Sequence, residues 1–124
     1  MILAFLLLAA AVAALVVAGG DVAVSGTNSR AGSGNVTTVT TTASAGDVSG
    51  GTAPYSYLWQ YVSGDAASIN AAAAANTSFF RTSYVVSDDS VSFVGIYRCR
   101  VTDALGGVSY GPNCTVTTTH NAFL

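Results

Sequence analysis

Tyr97-Arg98-Cys99-Arg100-Val101-Thr102-Asp103 is the stretch that decides the fold. Large or apolar side chains alternate in it with charged or polar ones, which is the period of a β-strand with one buried face. The pattern predicts that Tyr97, Cys99 and Val101 point into a core. The two arginines and the threonine then lie on the opposite, outer face.

Two further strands are predicted around this one. Tyr55–Tyr61 also alternates and holds the only tryptophan, Trp59. Asp103–Gly107 ends in paired glycines, which favour a hairpin turn into a last strand. A turn at 104–107 would set Cys114 opposite Tyr97 and diagonal to Cys99. We expect two free core thiols, with a strained disulfide as the open alternative.

The composition favours strands over helices. Only 8% of the 124 residues are charged, and all of them are Asp or Arg. Glu and Lys, which are good helix formers, are absent. The net charge of −2 gives no electrostatic reason to expect nucleic acid. The sequence therefore predicts an all-β protein with one domain of about seven strands at residues 21–124.

The N-terminal segment differs in composition from the rest of the chain. Met1–Ala18 contains no polar side chain, and as a helix it would be roughly 27 Å long. Three interpretations stay open: a secretory signal or membrane anchor, a helix or strand buried against other subunits, and a strand that joins a neighbour's sheet. We expect residues 1–20 to anchor the protein in an assembly by burying Leu3, Phe5, Leu6, Leu7, Leu8 and Leu15.

Other parts of the chain were assigned from turn residues and β-propensity. The alanine run Ala71–Ala75 is short and uncapped, so it is expected to cross between sheets as a strand or loop. The remaining predictions are loops at 26–34 and 45–53, strands at 21–26, 35–44, 77–86, 94–102 and 108–119, a polar turn at 87–90, and a C-terminal tail at 120–124.

No arrangement of residues predicts catalysis, a metal or a cofactor. His120 is the only histidine, no G-x-S-x-G motif is present, and zinc would need more Cys and His ligands. Asp88-Asp89 fits a solvated turn better than a calcium site, which needs six to eight oxygens. Arg98 and Arg100 share one outer face, where contact with an acidic neighbour and simple solvation are both open.

Two stretches together resemble a known superfamily. Gly50-Gly-Thr-Ala-Pro-Tyr-Ser-Tyr-Leu-Trp-Gln60 followed by Tyr97–Gly106 is similar to Ig-like and PKD-like β-sandwich domains, and within these to small domains of tailed-bacteriophage virion proteins. The resemblance covers about residues 35–119. It implies a single Ig-like sandwich in which Trp59 anchors the core and Tyr97 forms a tyrosine corner. The family's B-strand cysteine is missing, and Phe93 replaces an aspartate of Ig variable domains.

The resemblance also implies a function. We expect a non-enzymatic structural protein of the virion, either a capsid decoration, cement or head-fibre subunit or a minor tail component. Its partners would be other virion proteins and further copies of itself, with no nucleic acid. The alternative is a membrane-anchored or secreted bacterial surface module, of adhesion or pilin-like type. A third interpretation is a carbohydrate-binding module that uses the aromatic residues of Tyr55–Tyr61.

Overall fold

The structure, a computed structural model, describes residues 13–124. Within this range the chain forms strands and no helix, so the all-β prediction is confirmed. In chain order the strands are β1 Val16–Ala18, β2 Val22–Ala31, β3 Gly34–Val39, β4 Ala43–Ser44, β5 Asp47–Ser49, β6 Ser56–Gly64, β7 Ser68–Ile69, β8 Asn76–Thr77, β9 Phe79–Val85, β10 Asp89–Thr102, β11 Val108–Tyr110 and β12 Cys114–Phe123.

The long strand β10 lies at the centre of the largest sheet. One edge of β10 pairs with β6, in a register that sets Cys99 opposite Trp59. The other edge pairs with β12, where Tyr97 lies opposite Cys114, and then with β11. Residues 103–107 form the hairpin between β10 and β11. The two stretches that define the fold in the sequence are therefore neighbouring antiparallel strands.

Strand β2 extends the large sheet by a parallel pairing with β12. The pairing runs from Val22 opposite Cys114 to Ala31 opposite Phe123. Most of the predicted loop at 26–34 is therefore strand. Glycine, serine and asparagine there gave a weak strand signal. The hydrogen bonds that hold this stretch come from a partner about ninety residues away in the sequence, which local patterns do not reveal.

The remaining strands form three small sheets. β3 pairs with β9, which also pairs with β7, and β4 pairs with β8. Thr40 lies between β3 and β4, and it bonds the first residue of β9. Its backbone N–H donates to the carbonyl of Phe79 at 2.8 Å, and its hydroxyl accepts from the Phe79 N–H at 3.1 Å. These bonds link the β3–β9 pair to the β4–β8 pair at the point where the chain passes from β3 to β4.

The third small sheet changes the boundary of the N-terminal segment. β1 pairs antiparallel with β5, from Val16 opposite Ser49 to Ala18 opposite Asp47. Val17 and Leu15 pack against the core. Residues 13–20, predicted to be separate, therefore belong to the same β-structure as residues 21–124. The predicted loop at 45–53 contains β5 because β1 provides its pairing partner.

Most buried side chains form one cluster between the large sheet and the small ones. We call it the aromatic core: Val24, Ala43, Ala45, Trp59, Phe79, Tyr97, Cys99, Val101, Cys114 and Val116. The Phe79 ring, from β9, lies 5.8 Å from the Trp59 ring and 4.8 Å from the Tyr97 ring between centroids. Full burial of a side chain such as that of Phe79 stabilises the fold by about 1.5–3 kcal/mol. These rings thus join the sheets.

A second buried group lies further along β12. We call it the histidine core: Val36, Val85 and Ala122 with the buried polar residues Thr38, Thr118 and His120. The prediction of a C-terminal tail at 120–124 is wrong, because β12 continues to Phe123 and His120 is fully buried. Pairing with both β10 and β2 keeps this end of the chain in strand. The finer assignment to a seven-strand Ig-like sandwich stays a prediction.

Candidate functional site

The candidate site is the end of the domain where the N-terminal chain enters. Residues 13–15 run beside the loop that precedes β6, and the Gly51 N–H donates to the carbonyl of Ala13 at 2.7 Å. β1 then continues the chain into its pairing with β5. The apolar residues 1–12 are therefore followed by a short stretch that is hydrogen-bonded to the domain.

Two consecutive glycines make this entry possible. Gly50 and Gly51 have φ angles of 66° and 60°, a left-handed conformation that is unfavourable for residues with a Cβ. A Cβ at Gly50 would also overlap the carbonyl oxygen of Ala14. A Cβ at Gly51 would lie 2.8 Å from the Asp103 carboxylate. The glycine pair at the start of the resembling motif is thus a close-approach point for the N-terminal chain.

Asp103 ties the same loop to the β10–β11 hairpin. Its carboxylate accepts hydrogen bonds from the backbone N–H of Gly107 at 2.7 Å, Leu105 at 3.0 Å and Thr52 at 3.1 Å. The bond from Gly107, followed by those from the other backbone groups, lowers the pKa of Asp103. Asp103 therefore has a structural role, which these bonds explain without a metal.

These elements enclose a shallow pocket of about 350 Å³. Its lining residues are Ala13, Ala14, Leu15, Gly51, Thr52, Asp103, Leu105, Gly107 and Val108. Leu105, at the hairpin tip, is 79% exposed. The lining is mainly aliphatic, and its single ionisable group is already bonded to the backbone. The pocket therefore suits contact with an apolar group better than it suits catalysis.

The predicted anchor residues fall into two groups. Leu15 is half-buried, lines the pocket and packs against the aromatic core. The structure therefore places this leucine within the domain itself. The other predicted anchor residues, Leu3, Phe5, Leu6, Leu7 and Leu8, lie outside the described residues.

Trp59 and Tyr97 both lie in the aromatic core with their polar atoms bonded. The Trp59 Nε1–H donates to the carbonyl of Ala74 at 2.9 Å. The Tyr97 hydroxyl donates to the carbonyl of Ala67 at 2.7 Å and accepts from its N–H at 2.6 Å. Ala72 also accepts from the Trp59 backbone N–H at 2.8 Å, so the alanine run forms a crossing loop beside β6.

Val101, Cys99 and Cys114 complete the set of predicted core residues. Val101 is fully buried, and both cysteines are buried and free. Tyr97 rather than Cys99 lies opposite Cys114, as expected from the hairpin register. Burial raises the pKa of the Cys114 thiol to about 11 and also raises that of Cys99. The two thiols are therefore poor nucleophiles in the folded protein.

His120 is the main residue that the sequence left unassigned. Its Nδ1 lies 3.0 Å from the carbonyl oxygen of Val36 and 3.2 Å from the Thr38 hydroxyl. Nδ1 must carry the proton to bond the carbonyl, while the buried Nε2 has no hydrogen-bond partner. Burial is the largest cause that lowers the pKa of His120, and the nearby Arg81 charge adds to it. The available signal was the alternation in β12, where Cys114, Val116 and Ala122 lie on the same face as His120.

Residues 13–124 contain no cluster of three or more His, Cys, Asp or Glu side chains that could hold a metal ion. Asp88 has a left-handed backbone in the turn before β10. Across the same residues, no helix has the length and apolar character needed to cross a bilayer.

Comparisons with known proteins add no relative to these observations. No protein-family model, no curated protein and no solved structure matches the chain.

Proposed function

We propose that this chain is a non-enzymatic structural protein of a tailed-phage virion. It would serve as a capsid decoration, cement or head-fibre subunit, or as a minor tail component. An Ig-like sandwich would form its body, and the apolar residues before residue 13 would bury themselves in a neighbouring virion subunit. Further copies of the chain would be among its partners.

The observation that carries the proposal is the way in which the apolar segment joins the domain. Residues 1–12 contain no polar side chain. The chain that follows is fixed to the domain by the Gly51–Ala13 hydrogen bond and the β1–β5 pairing. The exposed Leu105 and Val108 lie at this same end. An apolar segment beside apolar surface residues favours a protein–protein anchor at this end.

The Ig-like part of the proposal is supported by strand order and by three side chains. Trp59 lies opposite Cys99 on neighbouring strands, and Tyr97 lies two residues before that cysteine, as in the resembling domains. The Tyr97 hydroxyl bonds the backbone of Ala67, 30 residues upstream, whereas the hydroxyl of a tyrosine corner bonds backbone only a few residues upstream. The parallel β2–β12 pair beside an antiparallel β6–β10–β12 arrangement fits the same architecture.

The proposal is tested by removing the apolar residues that precede the domain. Deletion of residues 1–12 keeps β1, so circular dichroism and the thermal midpoint should stay unchanged. Sedimentation with purified virions should be lost. The matched control is Tyr84→Ser, which changes an exposed aromatic residue away from the entry site and should sediment normally. A truncated protein that sediments with virions as well as the full chain would contradict the proposal.

A bacterial surface module is the second candidate, because the same residues 1–12 could insert into lipid. Residues 13–18, which the sequence grouped with them, are occupied by contacts within the domain. Flotation of the full chain with phospholipid vesicles separates the two candidates. Comigration with vesicles that is lost on deletion of residues 1–12, without binding to virions, would favour the surface module.

A further inference from the structure

The outer face of β6, β10 and β11 carries both arginines of the motif. We call it the arginine face: Leu58, Gln60, Arg98, Arg100 and Tyr110. The strand register places Arg100 between Leu58 on β6 and Tyr110 on β11. Gln60 lies opposite Arg98. The face is opposite to the one that forms the aromatic core, because side chains alternate along a strand.

The two guanidinium groups are held by their neighbours. The Arg98 guanidinium carbon lies 3.9 Å from the centre of the Tyr110 ring, a cation–π stack. The Arg100 Nε is shielded from solvent and has no hydrogen-bond partner. Stacking fixes the plane of a guanidinium group and leaves its N–H groups available at the edge.

No carboxylate of the face itself offsets these charges. The outward residues of the face contain no acid. Asp103, next to the end of β10, accepts three backbone N–H groups. Asp65, beyond the end of β6, accepts the Val94 N–H at 3.1 Å. Both carboxylates thus bond loop backbone, and neither forms an ion pair with Arg98 or Arg100, so the two guanidinium charges stay unpaired on this face.

The spacing of Arg98 and Arg100 indicates which kind of ligand can pair with both guanidinium groups. Side chains two residues apart on a strand point the same way, about 6.6–6.8 Å apart. Carboxylates on alternate residues of an extended segment have the same period, and each can pair with a guanidinium group in bidentate fashion. Leu58 and Tyr110, 38% and 41% exposed, add apolar surface on both sides. Apolar flanks fit a peptide better than a small free anion.

We propose that the arginine face docks an extended segment of another protein that carries Asp or Glu at alternate positions. A second copy of this chain does not offer that pattern. Its sequence has no glutamate and no Asp-x-Asp, and its only adjacent acids are Asp88 and Asp89. The partner is therefore a different protein with an acidic strand or loop edge.

The test adds the peptide Val-Asp-Val-Asp-Val, acetylated and amidated at its ends, to the full chain. Binding is measured from the changes in the backbone amide chemical shifts of β6, β10 and β11. Binding should be saturable, and Arg98→Gln or Arg100→Gln should each weaken it by at least about tenfold. The matched control is Arg30→Gln. Arg30 bonds the carbonyls of Ala31 and Asn35 near the β2–β3 turn, so this variant should bind as the unchanged protein does.

Peptides in which the acidic residues are replaced or moved test the proposal further. Val-Asn-Val-Asn-Val should not bind, and Val-Asp-Asp-Val-Val should bind at least several-fold more weakly. Equal binding of the alternate and adjacent acidic peptides would overturn the proposal, as would equal weakening by Arg30→Gln. Competition by inorganic phosphate at equal concentration would overturn it in favour of a phosphate site. A dimer that dissociates on Arg100→Gln would overturn it in favour of a second copy. The assay uses no virions and is independent of the truncation test.

Discussion

The aromatic core and the histidine core share strands β9 and β12 but are stabilised differently. In the aromatic core, β10 and β12 contribute Tyr97, Cys99 and Cys114, and apolar area dominates. In the histidine core, β12 instead contributes Thr118 and His120, and hydrogen bonds to buried backbone dominate. One part of the domain is therefore held mainly by ring packing, and the other includes buried hydrogen bonds such as that between His120 and Val36.

The largest difference is expected from truncating packed side chains. Trp59→Ala removes the ring that packs on Phe79 and should lower the free energy of unfolding by about 3–5 kcal/mol. Val85→Ala in the histidine core removes two methyl groups and should lower it by about 2 kcal/mol. Urea denaturation of both variants measures the two values. Equal losses would show that the two cores do not differ in this way.

The next effect separates a buried hydroxyl from an exposed one. Tyr97→Phe leaves both the N–H and the carbonyl of Ala67 without their partner. The free energy of unfolding should fall by about 1–3 kcal/mol. Tyr61→Phe is the control, because that ring is exposed and its hydroxyl bonds only the Gly64 carbonyl. It should change stability by less than about 0.5 kcal/mol. A Tyr97→Phe value as small as the control would contradict the role of the hydroxyl.

The histidine core should make stability depend on pH in a range where the aromatic core does not. The pKa of His120 is lowered in the folded state, so the unfolded chain binds the proton first. Stability is complete above the unfolded pKa of about 6.5 and falls as pH decreases below it, by at most about 1.4 kcal/mol per pH unit. Urea titrations at several pH values measure this slope.

His120→Asn tests whether that slope belongs to the histidine. The asparagine amide can still donate to the Val36 carbonyl but does not titrate. The variant should be less stable overall because it loses the ring, and its stability should not decline between pH 6.5 and pH 5. A decline as steep as in the unchanged protein would assign the pH dependence to other groups.

The smallest effect is expected at the entry site, where the Asp103 carboxylate holds exposed backbone groups. Its folded pKa is lowered, so its contribution is present above the unfolded pKa of about 4 and is lost as pH falls through the folded value. Asp103→Asn should lower the thermal midpoint at pH 7 and make it less sensitive to pH below 4. An unchanged midpoint at pH 7 would show that the three bonds do not stabilise the hairpin.

The predictable part of the fold lies where side chains alternate between apolar and polar. Trp59, Tyr97 and Cys99 fall in such strands, and the hairpin register followed from the paired glycines. Just before His120, Thr117, Thr118 and Thr119 lie on alternating faces of β12, so their hydrophobicity does not distinguish buried from outward positions. The second half of β2 and the whole of β5 escaped prediction for a different reason. Each depends on a distant strand for its hydrogen bonds, and its own residues have weak strand propensity.

The candidate site was predictable only in part. Leu15 was assigned to the anchor from its apolar neighbours, and the structure places it in the pocket and against the core. Gly50 and Gly51 were noted as part of a motif. Their left-handed conformation beside Ala14 depends on how two distant stretches meet. Arg98 and Arg100 were placed on one face from the sequence, but the stack on Tyr110 required the register of β11.

The parallel pairing of β2 and β12 has a mechanical consequence. The chain enters β2 at Val22, at one end of the pair, and leaves β12 at Phe123, at the other end. Tension between the two termini, once β1 has detached, pulls these strands past each other along their axes. The bonds between them then resist together in shear rather than opening one after another. A subunit tethered at its N-terminus and pulled from its C-terminal end will yield only at high force.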